Sequence, residues 1–281
     1  ACGSRADQTG SELRLECREG GIVEEYLLEN AANNPTDVAE IFTLEVQTLM
    51  KAEPNLTLFL NTWLVSAETE AGPGGAGALK TITSVTCENQ MVQRRYIIKA
   101  KVFIDASGDG RLGAEVGAEW IQGREGQSVF NESLAGQRIG MNPSDPGDNE
   151  TEGSSTLLMA SDIGSPVQFR KPWWAKTYNE SQFRYRTISG TVETCCWWNE
   201  VSWPHNTITD GEKIREQGLE QLFGIWDYIK NSGKYPEAAN MGLNWIELTP
   251  GKREGRRFRG QYVLSQNDIV KDWKSFPHGK P

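Results

Sequence analysis

Between Arg95 and Ala118 the chain reads RYIIKAKVFIDASGDGRLGAEVGA, and six consecutive residues in it, Asp105-Ala106-Ser107-Gly108-Asp109-Gly110, are of types that can meet a ligand. Small residues and glycines let a backbone come close to another molecule, and the N–H groups of a helix start carry partial positive charge, which suits a phosphate. Asp105 and Asp109 can hydrogen-bond a ribose or a phosphate-linked water. The same residues also make an ordinary strand-to-helix connection, with glycine as the turn and aspartate as the cap. Residue types alone leave both readings open.

A second group stands out by charge. Lys252, Arg253, Arg256, Arg257 and Arg259 cluster in PGKREGRRFRG, inside a chain of net charge −9. Lys252, Arg253 and Arg256 are the candidates for holding an anionic group, because a guanidinium offers a planar fork to a carboxylate or phosphate. A solvated turn, ion-paired to Glu254 and nearby acids, is the alternative. Among ten tryptophans, the pairs Trp173-Trp174 and Trp197-Trp198 can stack on sugar or flavin rings, or simply fill a core.

Five cysteines, Cys2, Cys17, Cys87, Cys195 and Cys196, show no CxxC spacing. Adjacent Cys195 and Cys196 can close a vicinal disulfide, but two reduced, half-buried thiols in a strand are the preferred reading. Unpaired thiols lean towards a reducing cytoplasm, which leaves the compartment open. With two histidines in all, His205 and His278, neither a histidine-rich metal site nor a compact Ser/His/Asp triad is supported, so no metal is expected and no catalytic residue is assigned. The acidic balance disfavours binding along a nucleic-acid backbone, and no run of ~18 apolar residues spans a membrane. A small-molecule substrate is the partner expected, with the oligomeric state open.

These residues need elements to place them. Helices are expected from Ile22 to the Asn33-Asn34-Pro35 breaker, then from a Thr36 cap through Val38, Ile41, Phe42, Leu49 and Met50. Strands follow at 56–65, 79–87 and 96–104, the last ending in an apolar run, Val102-Phe103-Ile104, suited to burial on both faces. Residues 136–155 read as a long loop. Strands at 156–160, 167–169, 183–188 and 193–203 make a more antiparallel layer, a helix opens at Thr209-Asp210 with Ile214, Leu219, Leu222, Phe223, Trp226 and Ile229 as its stripe, and a short strand covers 243–248. The fold class expected is α/β.

Four segments, GGIVEEYLLEN (20–30), VFIDASGDGRLGAEVG (102–117), FGIWDYIKNSG (223–233) and PGKREGRRFRGQYVLSQNDI (250–269), together resemble the FAD-dependent oxidoreductases with a nucleotide domain of the glutathione-reductase type. The resemblance implies a partial, Rossmann-like FAD-binding domain with a three-strand meander at 57–104, plus a mixed, mostly antiparallel substrate domain. The implied boundaries are 1–120 for the remainder of the FAD-binding domain, 121–245 for the substrate domain and 246–281 for a segment returning to the first. It implies FAD as cofactor, met by Asp105 through Gly110 and by backbone near Val65, with Lys252, Arg253 and Arg256 on the substrate side. The implied activity is hydride transfer between a small substrate and flavin. The family's first βαβ unit, with its Gly-x-Gly-x-x-Gly loop, and its closing glycine-rich segment are expected to be missing from this chain, which is then an incomplete or inactive form that holds FAD weakly or not at all. The rival reading is a non-catalytic carbohydrate-binding module that uses the tryptophan pairs as platforms.

Overall fold

The computed structural model describes residues 20–36, 38–72, 79–135, 147–183, 188 and 194–270. Cys2, Cys17, most of the 136–155 loop, most of the 183–188 strand and His278 lie outside those residues. The chain divides into two compact units, residues 1–63 with 88–95, and 64–87 with 96–281.

In the first unit, α1 (Gly21–Asn33) and α2 (Ala39–Ala52) form a helical hairpin, with Tyr26 edge-on to Phe42 at 5.8 Å between ring centroids. The connection is held by Asn34, not by a Thr36 cap. Its buried side chain accepts from the Val38 N–H and donates to the Val38 carbonyl, each at 2.8 Å, while its backbone N–H donates to the Asn30 carbonyl at the end of α1, so one residue ties the two helix ends.

Three strands, β1 (Thr62–Ala71), β2 (Lys80–Asn89) and β3 (Arg94–Ile98), pair in chain order as the expected meander. Its edges differ from expectation. Residues 56–61 are turn and coil, and β1 runs on instead to Ala71. Residues 102–104 belong to no strand, with Val102 75% and Ile104 86% exposed. An apolar run becomes a buried strand only where neighbours supply ladder hydrogen bonds and cover both faces, and among the described residues none do.

The second unit continues with α3 (Arg111–Glu115), β4 (Trp120–Ile121), β5 (Arg124–Glu125), α4 (Gln127–Phe130), β6 (Gly147–Asp148), β7 (Ser154–Ser155), β8 (Leu158–Asp162), β9 (Thr194–Cys195) and β10 (Glu200–Val201). The long helix α5 (Gly211–Asn231) follows, then β11 (Met241–Ile246), β12 (Gly251–Lys252), β13 (Arg257–Phe258) and α6 (Gln266–Val270). Ile214, Leu219, Leu222, Ile225, Trp226 and Ile229 are the buried apolar residues of α5, and the latter four join Leu158, Ala160 and Met241 in the core. Phe223, expected in that stripe, sits on its flank, stacked on Phe169 at 6.3 Å and edge-on to Trp174 at 5.4 Å. Strand β8 is the centre of a sheet ordered β11-β8-β9, and both pairings are antiparallel. The fold is thus mixed α/β, with small antiparallel sheets.

One arrangement places the chemistry. Antiparallel to β7, β12 pairs Lys252 with Ser154, while β13 pairs Phe258 with Trp120 on β4. Both ends of the basic segment are therefore fixed to different sheets, and the residues between them have to cross a defined place.

Candidate functional site

The place is the Asp105–Gly110 turn. Asp105 Oδ1 accepts from the Ser107 N–H at 3.1 Å and the Ser107 hydroxyl at 2.6 Å, and Oδ2 accepts from the Gly113 N–H at 3.0 Å. Ser107 Oγ in turn accepts from the Arg111 N–H at 2.8 Å. Burial works to raise the Asp105 carboxyl, but hydrogen bonds from Ser107, Gly113 and Leu112 outweigh it and hold the group below the usual aspartate value. Two N–H groups at the start of α3 are thus already satisfied by side chains of the turn itself. The open groups lie one step earlier: the N–H groups of Gly108, Asp109 and Gly110 have no acceptor among the described residues, and a side chain at Gly108 would meet nothing within 4 Å. Gly108 (φ +80°) and Gly110 (φ +64°) are left-handed, a conformation that turns successive N–H groups towards one side.

Behind the turn, Phe258 takes the place of two side chains. A Cβ at Gly113 would lie 2.2 Å from the Phe258 ring and one at Gly110 would lie 2.6 Å away. Gly108, Gly110 and Gly113 have the Gly-x-Gly-x-x-Gly spacing, which corrects the expectation that the chain is without it. Counting glycine intervals from Gly108 finds it. In the structure, though, Gly113 serves contact with Phe258 and its N–H serves Asp105, so the third glycine is explained by internal packing. Val65 stands beside the turn, its carbonyl accepting from Arg111 Nη2 at 3.1 Å.

The basic segment crosses in front. Lys252 Nζ lies 2.6 Å from Asp109 Oδ2, and Arg256 Nη1 donates to the Asp109 carbonyl at 3.1 Å. Arg253 donates to Glu200 at 3.0 Å, to Ser155 Oγ at 2.9 Å and to the Trp197 carbonyl at 2.8 Å, and its guanidinium sits 5.5 Å from the Trp197 ring centroid. Arg257 pairs with Glu125 at 3.1 Å and Arg259 with Glu119 at 2.7 Å. Lys252, Arg253, Arg257 and Arg259 are ion-paired to acids, whereas Arg256 is held by a backbone carbonyl. Ser107, Gly108 and Asp109 on one side, and Lys252, Arg253 and Glu254 on the other, enclose a cavity of about 180 Å³.

Arg253 and Glu254 also line a second cavity of about 510 Å³, whose wall includes Trp197, Trp198 and Trp203. The two tryptophan pairs divide. Trp173 is 94% exposed and Trp174 packs on Phe223, whereas Trp197 (61% exposed) faces this cavity and Trp198 leans on Phe183 at 6.3 Å. Trp203 and Arg124, which the sequence did not single out, complete it; neither carries a motif, and it is the β5–β6 and β7–β10 pairings that bring their neighbourhoods together. Cys196, next to Trp197, is disulfide-bonded, which overturns the preference for two reduced thiols, while Cys87 is a free thiol whose pKa burial pushes up. Cys196 has φ +83°, outside the strand conformation on which that preference rested. Among the described residues no cluster of three His, Cys, Asp or Glu could hold a metal ion, and no helix is long and apolar enough to cross a membrane.

A model of the family described as FAD dependent oxidoreductase matches residues 5–279. The chain belongs to this family. No curated protein and no solved structure matches it. For the FAD that membership in the FAD-dependent oxidoreductases suggests, the turn offers a phosphate-sized fit: three open N–H groups, a bare Gly108 and a neighbouring ammonium. A whole dinucleotide is another matter, since 180 Å³ is below the roughly 300–1,000 Å³ of ordinary ligand pockets.

Proposed function

We propose that the chain works in hydride transfer between a small substrate and flavin, with Asp105, Ala106, Ser107, Gly108, Asp109, Gly110 and Val65 on the cofactor side, in a partial Rossmann-like domain. Lys252, Arg253 and Arg256 stand on the substrate side. The observation that carries this reading is the 2.6 Å contact of Lys252 with Asp109, which joins the two segments that the resemblance assigns to opposite sides of one reaction centre.

When bound, FAD supplies the ring that exchanges the hydride; the protein's share is placement and electrostatics. The open N–H groups from Gly108 to Gly110 would hold a phosphate, and Asp109, tied to Lys252 and Arg256, fixes the direction in which they face. Because those two basic residues already have partners in Asp109, their role here is to set the distance between turn and substrate cavity. Arg253 belongs to the walls of both cavities and would be the residue through which one side senses the other.

The capped start of α3 supports weak cofactor affinity, since the amides that a pyrophosphate normally takes are used internally. Titration of the purified chain with FAD, followed by flavin fluorescence and the visible spectrum, tests both parts. A colourless protein that binds FAD with a Kd weaker than about 1 μM, or −8 kcal/mol, is expected. A yellow protein with one FAD per chain overturns the weak-binding part. No response up to roughly 1 mM FAD, or about −4 kcal/mol, overturns the cofactor assignment.

A further inference from the structure

The 510 Å³ cavity has the size of a ligand site, and its polar groups are of mixed kind. Trp197 and Trp203 on its wall are 61% and 57% exposed, so two large indole surfaces face water at one hollow. On the same wall, the Glu152 carboxylate has no hydrogen bond or ion pair among the described residues. Arg124, held by Asp148 and Glu150, is partly exposed on the same wall, while its Nη1 is buried away from solvent. A carboxylate without a protein partner and a guanidinium already paired by acids therefore line the same cavity.

These features select among ligands. An anion would face Glu150, Glu152, Glu200 and Glu254 against two guanidinium groups that acids already pair. A cation would satisfy Glu152 only, and would face the like charges of Arg124 and Arg253 on the same wall. A hydroxyl both donates and accepts, and a ring bearing several of them has apolar C–H faces that lie flat on an indole. Thr151 and Trp203 also line a neighbouring cavity of about 380 Å³, with Trp120 and Gln122 on its wall.

We propose that these adjoining cavities bind a neutral saccharide of two or more rings, with Trp197 and Trp203 beneath the sugar faces and Glu152 accepting from hydroxyls. Within the oxidoreductase reading this names the substrate class, and it rests on that reading for the sugar's role in the reaction, not for its binding.

The test is calorimetric titration of the full chain with cellobiose, maltose, lactose and xylobiose, beside digalacturonate and choline. At least one neutral disaccharide is expected to bind, and Trp203→Ala and Trp197→Ala are each expected to weaken it about tenfold or more, equivalent to 1.4 kcal/mol. Trp173→Ala, outside the cavity, is expected to leave binding unchanged. Should a tryptophan variant fail to fold by circular dichroism, Glu152→Gln on the exposed carboxylate serves instead, with a several-fold loss expected. No binding of any neutral disaccharide at roughly 10 mM, tighter binding of digalacturonate or choline, or unchanged affinity in the cavity variants overturns the proposal. Because the FAD titration is separate, sugar binding without FAD binding removes the cofactor assignment and leaves this site standing, and the converse result does the reverse.

Discussion

Lys252 and Asp109, 143 positions apart in sequence, meet at 2.6 Å, and each keeps about a third of its side chain exposed. Partial exposure limits what the pair contributes. Lys252→Met is expected to cost about 1 kcal/mol or less in urea unfolding, with the difference shrinking in 1 M salt as charges are screened over roughly 3 Å. A larger, salt-independent loss would mean that the stem of Lys252, not its charge, holds the turn.

Gly113 sits in α3, where alanine is ordinarily the better helix former by about 1 kcal/mol. The Phe258 ring reverses that sign, since the added Cβ would stand 2.2 Å from it. Gly113→Ala is expected to destabilise by about 1–3 kcal/mol, as overpacked cores do, and the double variant with Phe258→Leu to recover most of it. Thermal unfolding of the two single variants and the double variant decides the point.

Asp105 has a folded pKa below its unfolded value, so its stabilising effect is fully present above the ordinary aspartate range and is lost as pH falls through the folded value. Asp105→Asn is therefore expected to be less stable than the parent at pH 7. The gap should close progressively as pH drops below about 3.9. Urea midpoints of both proteins at several pH values measure it; a gap independent of pH would show that geometry, not charge, matters at this position.

Glu247 behaves in the opposite sense. Burial pushes its carboxyl up, against a hydrogen bond with Leu157 backbone, and Oε2 is buried without a partner. A carboxyl raised in the folded state loses stability as pH climbs from about 4.3 through the folded value, and it carries the cost of a buried charge above that. Glu247→Gln is expected to raise the melting temperature at pH 7 and to lose that advantage in acid. Equal melting temperatures at pH 7 would show that water reaches the carboxylate.

Local pattern explains what could be read in advance. The α5 stripe was legible because apolar residues recur at helical spacing over 21 residues, and the meander because glycine and asparagine turns separate its runs. The Asp105 turn was legible as a turn. Its internal capping was not, because Ser107 and Asp105 look the same in sequence whether they accept from the protein's own N–H groups or face a ligand. Val102 and Ile104 misled because composition reports what a segment could bury, not whether a partner strand is present. Arg124, Glu152 and Trp203 come together through two-residue pairings, too short for any periodicity to announce.

Lys230, near the end of α5, donates to three carbonyls, those of Ala238 at 2.7 Å, Ala239 at 2.9 Å and Met241 at 2.9 Å. An ammonium has three hydrogens, and here every one is spoken for by the segment that leads into β11. Arginine is too broad for that three-pronged seat and methionine has nothing to give. Ten residues further on, the same chain lines both cavities, so a conservative change at this remote helical position would slacken the tether of the strand that leads to them.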